Sequence, residues 1–157
     1  MQLFEEKLKH KTKFFAYPFG EYKNSYKKIV EDLGFNYGFG QHSGVIDSTK
    51  DKFELPRFPI NEKYGELKRF KSIINYFPLE YKKILPEEKQ LFDNTNPPNF
   101  KVEFFKEQKN LSNINCYSNE GDVWEKSKTS FVNNSLTIEF REPFKPRRGR
   151  INCSLND

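Results

Sequence analysis

Three short stretches hold the residue types that could do chemistry: Tyr17-Pro18-Phe19-Gly20-Glu21, Gln41-His42-Ser43-Gly44, and Arg57. His42 is one of two histidines, the other being His10. Imidazole titrates near neutrality, so His42 suits a general acid; it suits equally well orienting another residue or bonding its own loop. Gln41, Ser43 and the Tyr17 hydroxyl supply hydrogen-bonding groups for a substrate. A catalytic zinc wants three protein ligands and an open position, which His10 and His42 cannot furnish.

The elements that would position these residues alternate. Leu3, Phe4 and Leu8 sit at helical spacing among charges and predict an amphipathic helix over residues 1–13. Lys13 to Tyr17 is a short apolar run stopped by Pro18-Phe19-Gly20, which reads as a buried strand ending in a turn. Tyr22, Tyr26, Ile29, Val30 and Leu33 form a helical stripe closed by Gly34. Phe35 to Gly40 is the next strand, so strand, helix and strand make a βαβ unit with parallel strands. Phe53 to Ile60 predicts a third strand, interrupted by Pro56 and Pro59 and therefore at an edge. Leu67, Phe70, Ile73, Ile74 and Phe77 predict another helix. Alternation of this kind belongs to an α/β layer or barrel with too few strands to close alone. In such folds reactive residues lie past the carboxyl ends of the strands, where all three chemical stretches would open on one face.

The chain divides into residues 1–80, a Pro/Asn-rich linker over 81–99 that ends at Asn96-Pro97-Pro98-Asn99, and residues 100–157. In the last part the period changes to two: Phe100 to Phe104, Ile114 to Tyr117, Leu136 to Arg141 and Ile151 to Ser154 predict a small antiparallel β-sandwich. Trp124, Tyr117 and Phe131 fit its core better than an exposed platform. Cys116 and Cys153 occupy similar strand contexts and are disulfide candidates, free buried thiols being the competing reading. The dense basic stretch from Lys145 to Arg150 reads as an exposed hairpin turn, with contact to an anionic polymer as the alternative.

Seventeen phenylalanines and eight tyrosines argue for a folded, aromatic core. The net charge of +5 comes from lysines mixed with acids along the whole chain, a solvated surface rather than a nucleic-acid footprint. No apolar run is long enough to span a membrane, and the N-terminal residues form no signal peptide.

Taken in order, FAYPFGEY, EDLGFNYGFGQHSG, LPRFPIN, a proline-rich link ending NPP and a cysteine-bearing β segment resemble the polysaccharide deacetylases, the NodB-homology carbohydrate esterases, in a subgroup with an appended C-terminal β domain. The resemblance covers most of the chain and implies a partial (β/α) barrel of the glycoside hydrolase/deacetylase type before the β domain. It also implies metal-dependent removal of acetyl groups from cell-wall or exopolysaccharide sugars, in a full-length form exported to the periplasm or beyond. The family's metal, usually zinc, is held by one Asp and two His in motifs that precede this stretch, and those motifs are absent here. The expectation is therefore an inactive C-terminal portion whose missing N-terminal half carries the metal.

Within that resemblance the Phe19 backbone N–H is offered to the oxyanion; the other reading is a plain strand-ending turn with a buried aromatic. Ala16 stands where the family often has Arg, which leaves the partner of the base open. Arg57 pairs with a carboxylate of the missing half, binds sugar hydroxyls, or is a surface arginine. The alternative function is a non-catalytic carbohydrate-binding or accessory protein.

Overall fold

The structure, a computed structural model, describes residues 2–106, 109–145 and 147–155. It divides into two compact units, Met1–Pro78 and Leu79–Asp157.

In the first unit, helix α1 (Gln2–Leu8) precedes strand β1 (Phe14–Ala16), which ends in a 3-10 turn over Pro18–Gly20. Helix α2 (Asn24–Asp32) then leads into strand β2 (Tyr37–Phe39). Gly34 terminates α2 at φ 83°, its N–H bonded to Glu31 O at 2.8 Å while Phe35 N–H reaches Val30 O at 3.3 Å. A left-handed residue there lets the last carbonyls of the helix find donors, and glycine pays no steric penalty for it. β1 and β2 pair in parallel, Phe15 opposite Gly38. Phe15, Tyr17 and Phe35 pack edge-on or tilted, with ring centroids 5.2 Å apart, and buried Tyr17, Val30 and Leu55 complete a small core. The apolar stripe of α1, Leu3, Phe4 and Leu8, is exposed.

The barrel implied by the resemblance is not formed. The parallel sheet has two strands, and the stretch expected as a third contributes one parallel bridge, Phe39 to Leu55. Pro56 and Pro59 lack the N–H that would continue the ladder. Helix α3 (Leu67–Ile73) is followed not by a parallel strand but by β3 (Lys83–Leu85), which pairs antiparallel in the second unit. The βα alternation ends there, and the chain becomes a fold of short helices and mostly small antiparallel sheets.

The second unit contains strands β4 (Lys101–Glu103), β5 (Ile114–Ser118), β6 (Glu125–Lys126), β7 (Lys128–Val132), β8 (Ser135–Glu139) and β9 (Ile151–Leu155). They form two antiparallel sheets, in the orders β3-β4-β8-β7 and β6-β5-β9. Val102, Phe104, Leu136 and Ile138 of the first sheet share one core with Ile114 and Cys116 of the second. β7 and β8 join through Asn133 and Asn134 at φ 50° and 59°. Positive φ at both loop residues suits the twist of a two-residue hairpin, and asparagine tolerates it. Residues 81–99 are part of this unit, since β3 lies within them. Cys116 and Cys153 face each other in register and are joined by a disulfide.

Candidate functional site

The carboxyl ends of β1 and β2 build the site. Tyr17 N–H bonds Phe39 O at 3.0 Å, extending the parallel pairing by one residue. The chain then turns sharply: Gly20 N–H reaches Tyr17 O at 2.8 Å and Glu21 N–H reaches Pro18 O at 3.1 Å. Pro18 presets φ for such a turn. Phe19 occupies the left-handed region at φ 56°, ψ 6°, a conformation that costs a side-chain-bearing residue about 1–2 kcal/mol. Phe19 is 63% exposed while Tyr17, at the start of the turn, is the stretch's buried aromatic, as the plain strand-ending turn also expects.

This turn abuts the second stretch. A Cβ on Gly20 would meet Gln41 Cβ at 2.5 Å and Gln41 N at 2.6 Å. Gly40 is equally constrained, since a Cβ there would lie 2.8 Å from His42 Nδ1 and 3.1 Å from Tyr22 Cε1. The His42 ring stands beside Tyr22, centroids 6.4 Å apart, and Tyr22 packs on Tyr17 at 5.0 Å. Arg57 N–H bonds His42 O at 2.9 Å, and Pro56 lies against Gly44. Phe19, Gln41, His42, Ser43 and Arg57 therefore occupy one edge of the unit, all exposed.

Tyr17 is placed differently from these five. Its side chain is buried and its hydroxyl donates to Phe53 O at 2.9 Å. Burial pushes the phenol up to about 12, with nearby Asp51 and Glu54 adding to the rise and Lys27 opposing it. Tyr17 thus braces the site from beneath, tying β1 to the 53–55 segment, while the exposed groups face solvent.

Tyr22 and the Lys27 cluster are partners that sequence reasoning did not place at the site. Its spacing reads Tyr22 into a helical stripe, but Tyr22 precedes α2 and wedges between Tyr17 and His42, and its place two residues after the Pro-Phe-Gly turn is the signal for that. Lys27 Nζ pairs with Asp51 at 2.7 Å and Glu54 at 2.8 Å. Burial would lower the ammonium, but hydrogen bonds to the two carboxylates outweigh it and raise it. The partners lie 24 and 27 residues away, and no local pattern reveals such a pairing.

In the second unit, Trp124, Tyr117 and Phe131 are exposed at 47%, 44% and 37%, a correction to their expected place in the core. Tyr117 belongs to β5 and Phe131 to β7, strands of different sheets. The same unit holds a buried polar hub. Glu120, 1% exposed, accepts hydrogen bonds from Arg141 Nη2 at 2.9 Å and Nε at 3.3 Å, and Arg141 also pairs with Glu125.

Among the described residues no group of three His, Cys, Asp or Glu side chains could hold a metal ion. The described residues do not fit a catalytic zinc. Among the same residues no helix is long and apolar enough to cross a membrane. No family model, curated protein or solved structure matches this chain.

Proposed function

We propose that this chain is the sugar- and acyl-contacting portion of a polysaccharide deacetylase, acting on acetylated cell-wall or exopolysaccharide sugars in its full-length form and not hydrolytic by itself. The observation that carries this reading is that the Phe19–Gly20 turn abuts Gln41, and His42 bonds the Arg57 backbone, at the carboxyl edge of the β1–β2 pair. Strained backbone concentrates at functional sites, and Phe19 is held left-handed at the position where the resemblance implies an oxyanion donor. A backbone N–H on a tight turn is preoriented and stabilises charge developing on an acetyl oxygen without reorganising. His42 serves the leaving group as proton donor, its ring oriented against Tyr22. Gln41, Ser43 and the Arg57 guanidinium bind sugar hydroxyls. The Cys116–Cys153 disulfide supports a periplasmic or extracellular location, because such bonds persist in oxidising compartments.

Titrating the labelled chain with partly N-acetylated chitooligosaccharides tests the binding half by NMR. Amide shifts confined to Phe19, Gln41 to Ser43 and Arg57 are expected; an unperturbed spectrum at millimolar sugar overturns it. An acetate-release assay with added zinc tests the other half. No turnover is expected, and robust turnover would show a metal site made by this chain.

A further inference from the structure

The register of the three-stranded sheet places a second group of side chains together. Tyr117 on β5 lies opposite Lys126 on β6 and opposite Asn152 on β9. Directly opposed residues share a face, so Lys126, Tyr117 and Asn152 form one cross-strand row. Burial along β5 alternates: Ile114, Cys116 and Ser118 are buried while Tyr117 is exposed. That row is therefore on the face turned away from the core. Side chains two residues apart along a strand share a face. Trp124, two before Lys126, and Arg150, two before Asn152, are both exposed and stand just beyond the ends of β6 and β9 at this side of the sheet.

The Arg150 end of β9 is held to the β5 end by hydrogen bonds. Arg150 N–H donates to Asn119 Oδ1 at 2.6 Å, and Asn119 N–H reaches Arg150 O at 3.3 Å. Glu120, next in the loop before Trp124, accepts Lys145 N–H on its carbonyl at 3.1 Å and Arg141 on its carboxylate. These bonds tie the loop bearing Trp124 to the segment bearing Arg150. The cross-strand row and the strand ends beside it then offer two exposed aromatics, Tyr117 and Trp124, two cations, Lys126 and Arg150, and the carboxamide of Asn152. Glu125, the acid between Trp124 and Lys126, points by alternation the other way and pairs with Arg141.

We propose that this outer face binds an acidic polysaccharide. Tyr117 and Trp124 stack on sugar rings, Lys126 and Arg150 meet the carboxylates, and the amide takes hydroxyls. Two cations match a polymer with one charge per sugar, whereas a nucleic-acid surface tracks its phosphates with a continuous basic groove. The proposal rests on the glycan-facing half of the function proposed above and not on its hydrolytic half. Its failure leaves the Phe19 and His42 edge untouched.

Trp124 is the only tryptophan in the chain, so intrinsic tryptophan emission reports this face alone. Polygalacturonate titrated into the full chain should shift Trp124 emission saturably, with an affinity that falls as salt rises. The Lys126→Ala/Arg150→Ala double variant should bind about tenfold more weakly or worse. Tyr117→Ala should also weaken binding, and an unchanged far-UV spectrum shows that both variants fold. Flat emission overturns the proposal, as does an equal response to neutral dextran or a tighter response to an oligothymidylate. Unaltered affinity in the double variant overturns it too.

Discussion

The side chain of Asn96 pairs with both backbone groups of Phe144, 48 residues away. Its Nδ2 donates to Phe144 O at 2.9 Å, and Phe144 N–H donates to its Oδ1 at 2.8 Å. The carboxamide stands in for a neighbouring strand and fastens the end of the 81–99 segment to the β8–β9 connection. Asn96→Ala strips partners from both groups at a buried residue, an expected loss of about 1–3 kcal/mol. The urea midpoint checks it, and a midpoint equal to the parent's removes the anchoring role.

Glu120 makes stability depend on acid. Burial by itself would raise its carboxyl, but the hydrogen bonds from Arg141, its own backbone and Ser118 prevail and hold it at about 2. A carboxyl lowered on folding from its ordinary value of 4.5 contributes fully above that value and progressively less as pH falls toward 2. Glu120→Gln should cost about 1–3 kcal/mol at pH 7, less than a fully buried pair because Arg141 is partly solvated. The variant and parent should converge near pH 2. Parallel urea curves at pH 7 and pH 3 with an undiminished gap would contradict this assignment.

The turn at Phe19 and Gly20 predicts opposite effects for two neighbouring substitutions. Phe19→Gly relieves a left-handed residue with little buried area lost, so stability should hold or rise. Gly20→Ala adds a Cβ onto the Gln41 backbone at φ 71° and should cost at least about 1–2 kcal/mol. Thermal melts of both variants check the signs; a stabilising Gly20→Ala would mean the turn is built differently.

Reduction of the Cys116–Cys153 bond, which spans 37 residues, should lower stability by roughly 3–4 kcal/mol in the chain-entropy account. Urea melts with and without reductant measure this directly. An unchanged midpoint with both thiols titratable would show that the two strands hold without the link.

Much of the local structure was legible before any coordinates. The stripe from Tyr26 to Leu33 and Gly34 mark a helix and its end because both depend on residues within one or two turns, although Tyr22, read into the same stripe, falls before α2. Pro18-Phe19-Gly20 marks a turn for the same reason, and β1-α2-β2 followed from short-range alternation. The edge where Phe19, His42 and Arg57 meet was foreseeable once those strands were taken as parallel. Its support was not: Tyr17 bonds Phe53, and Lys27 meets Asp51 and Glu54, across long stretches of chain with no periodic signature. Trp124 illustrates the opposite error, an aromatic expected in a core and left exposed just before β6.

By itself, then, the sequence determined most of the helices, turns and strands, though not β3, β6 or β7, since backbone dihedral preference and side-chain period act over a few residues. Tertiary structure alone decided which strands pair. A proline-interrupted Phe53–Ile60 stretch and a β3 that turns antiparallel left two parallel strands where a barrel was expected. Strand pairing is a competition among distant hydrogen-bonding edges and buried faces, and its outcome is set only when all of them are folded together.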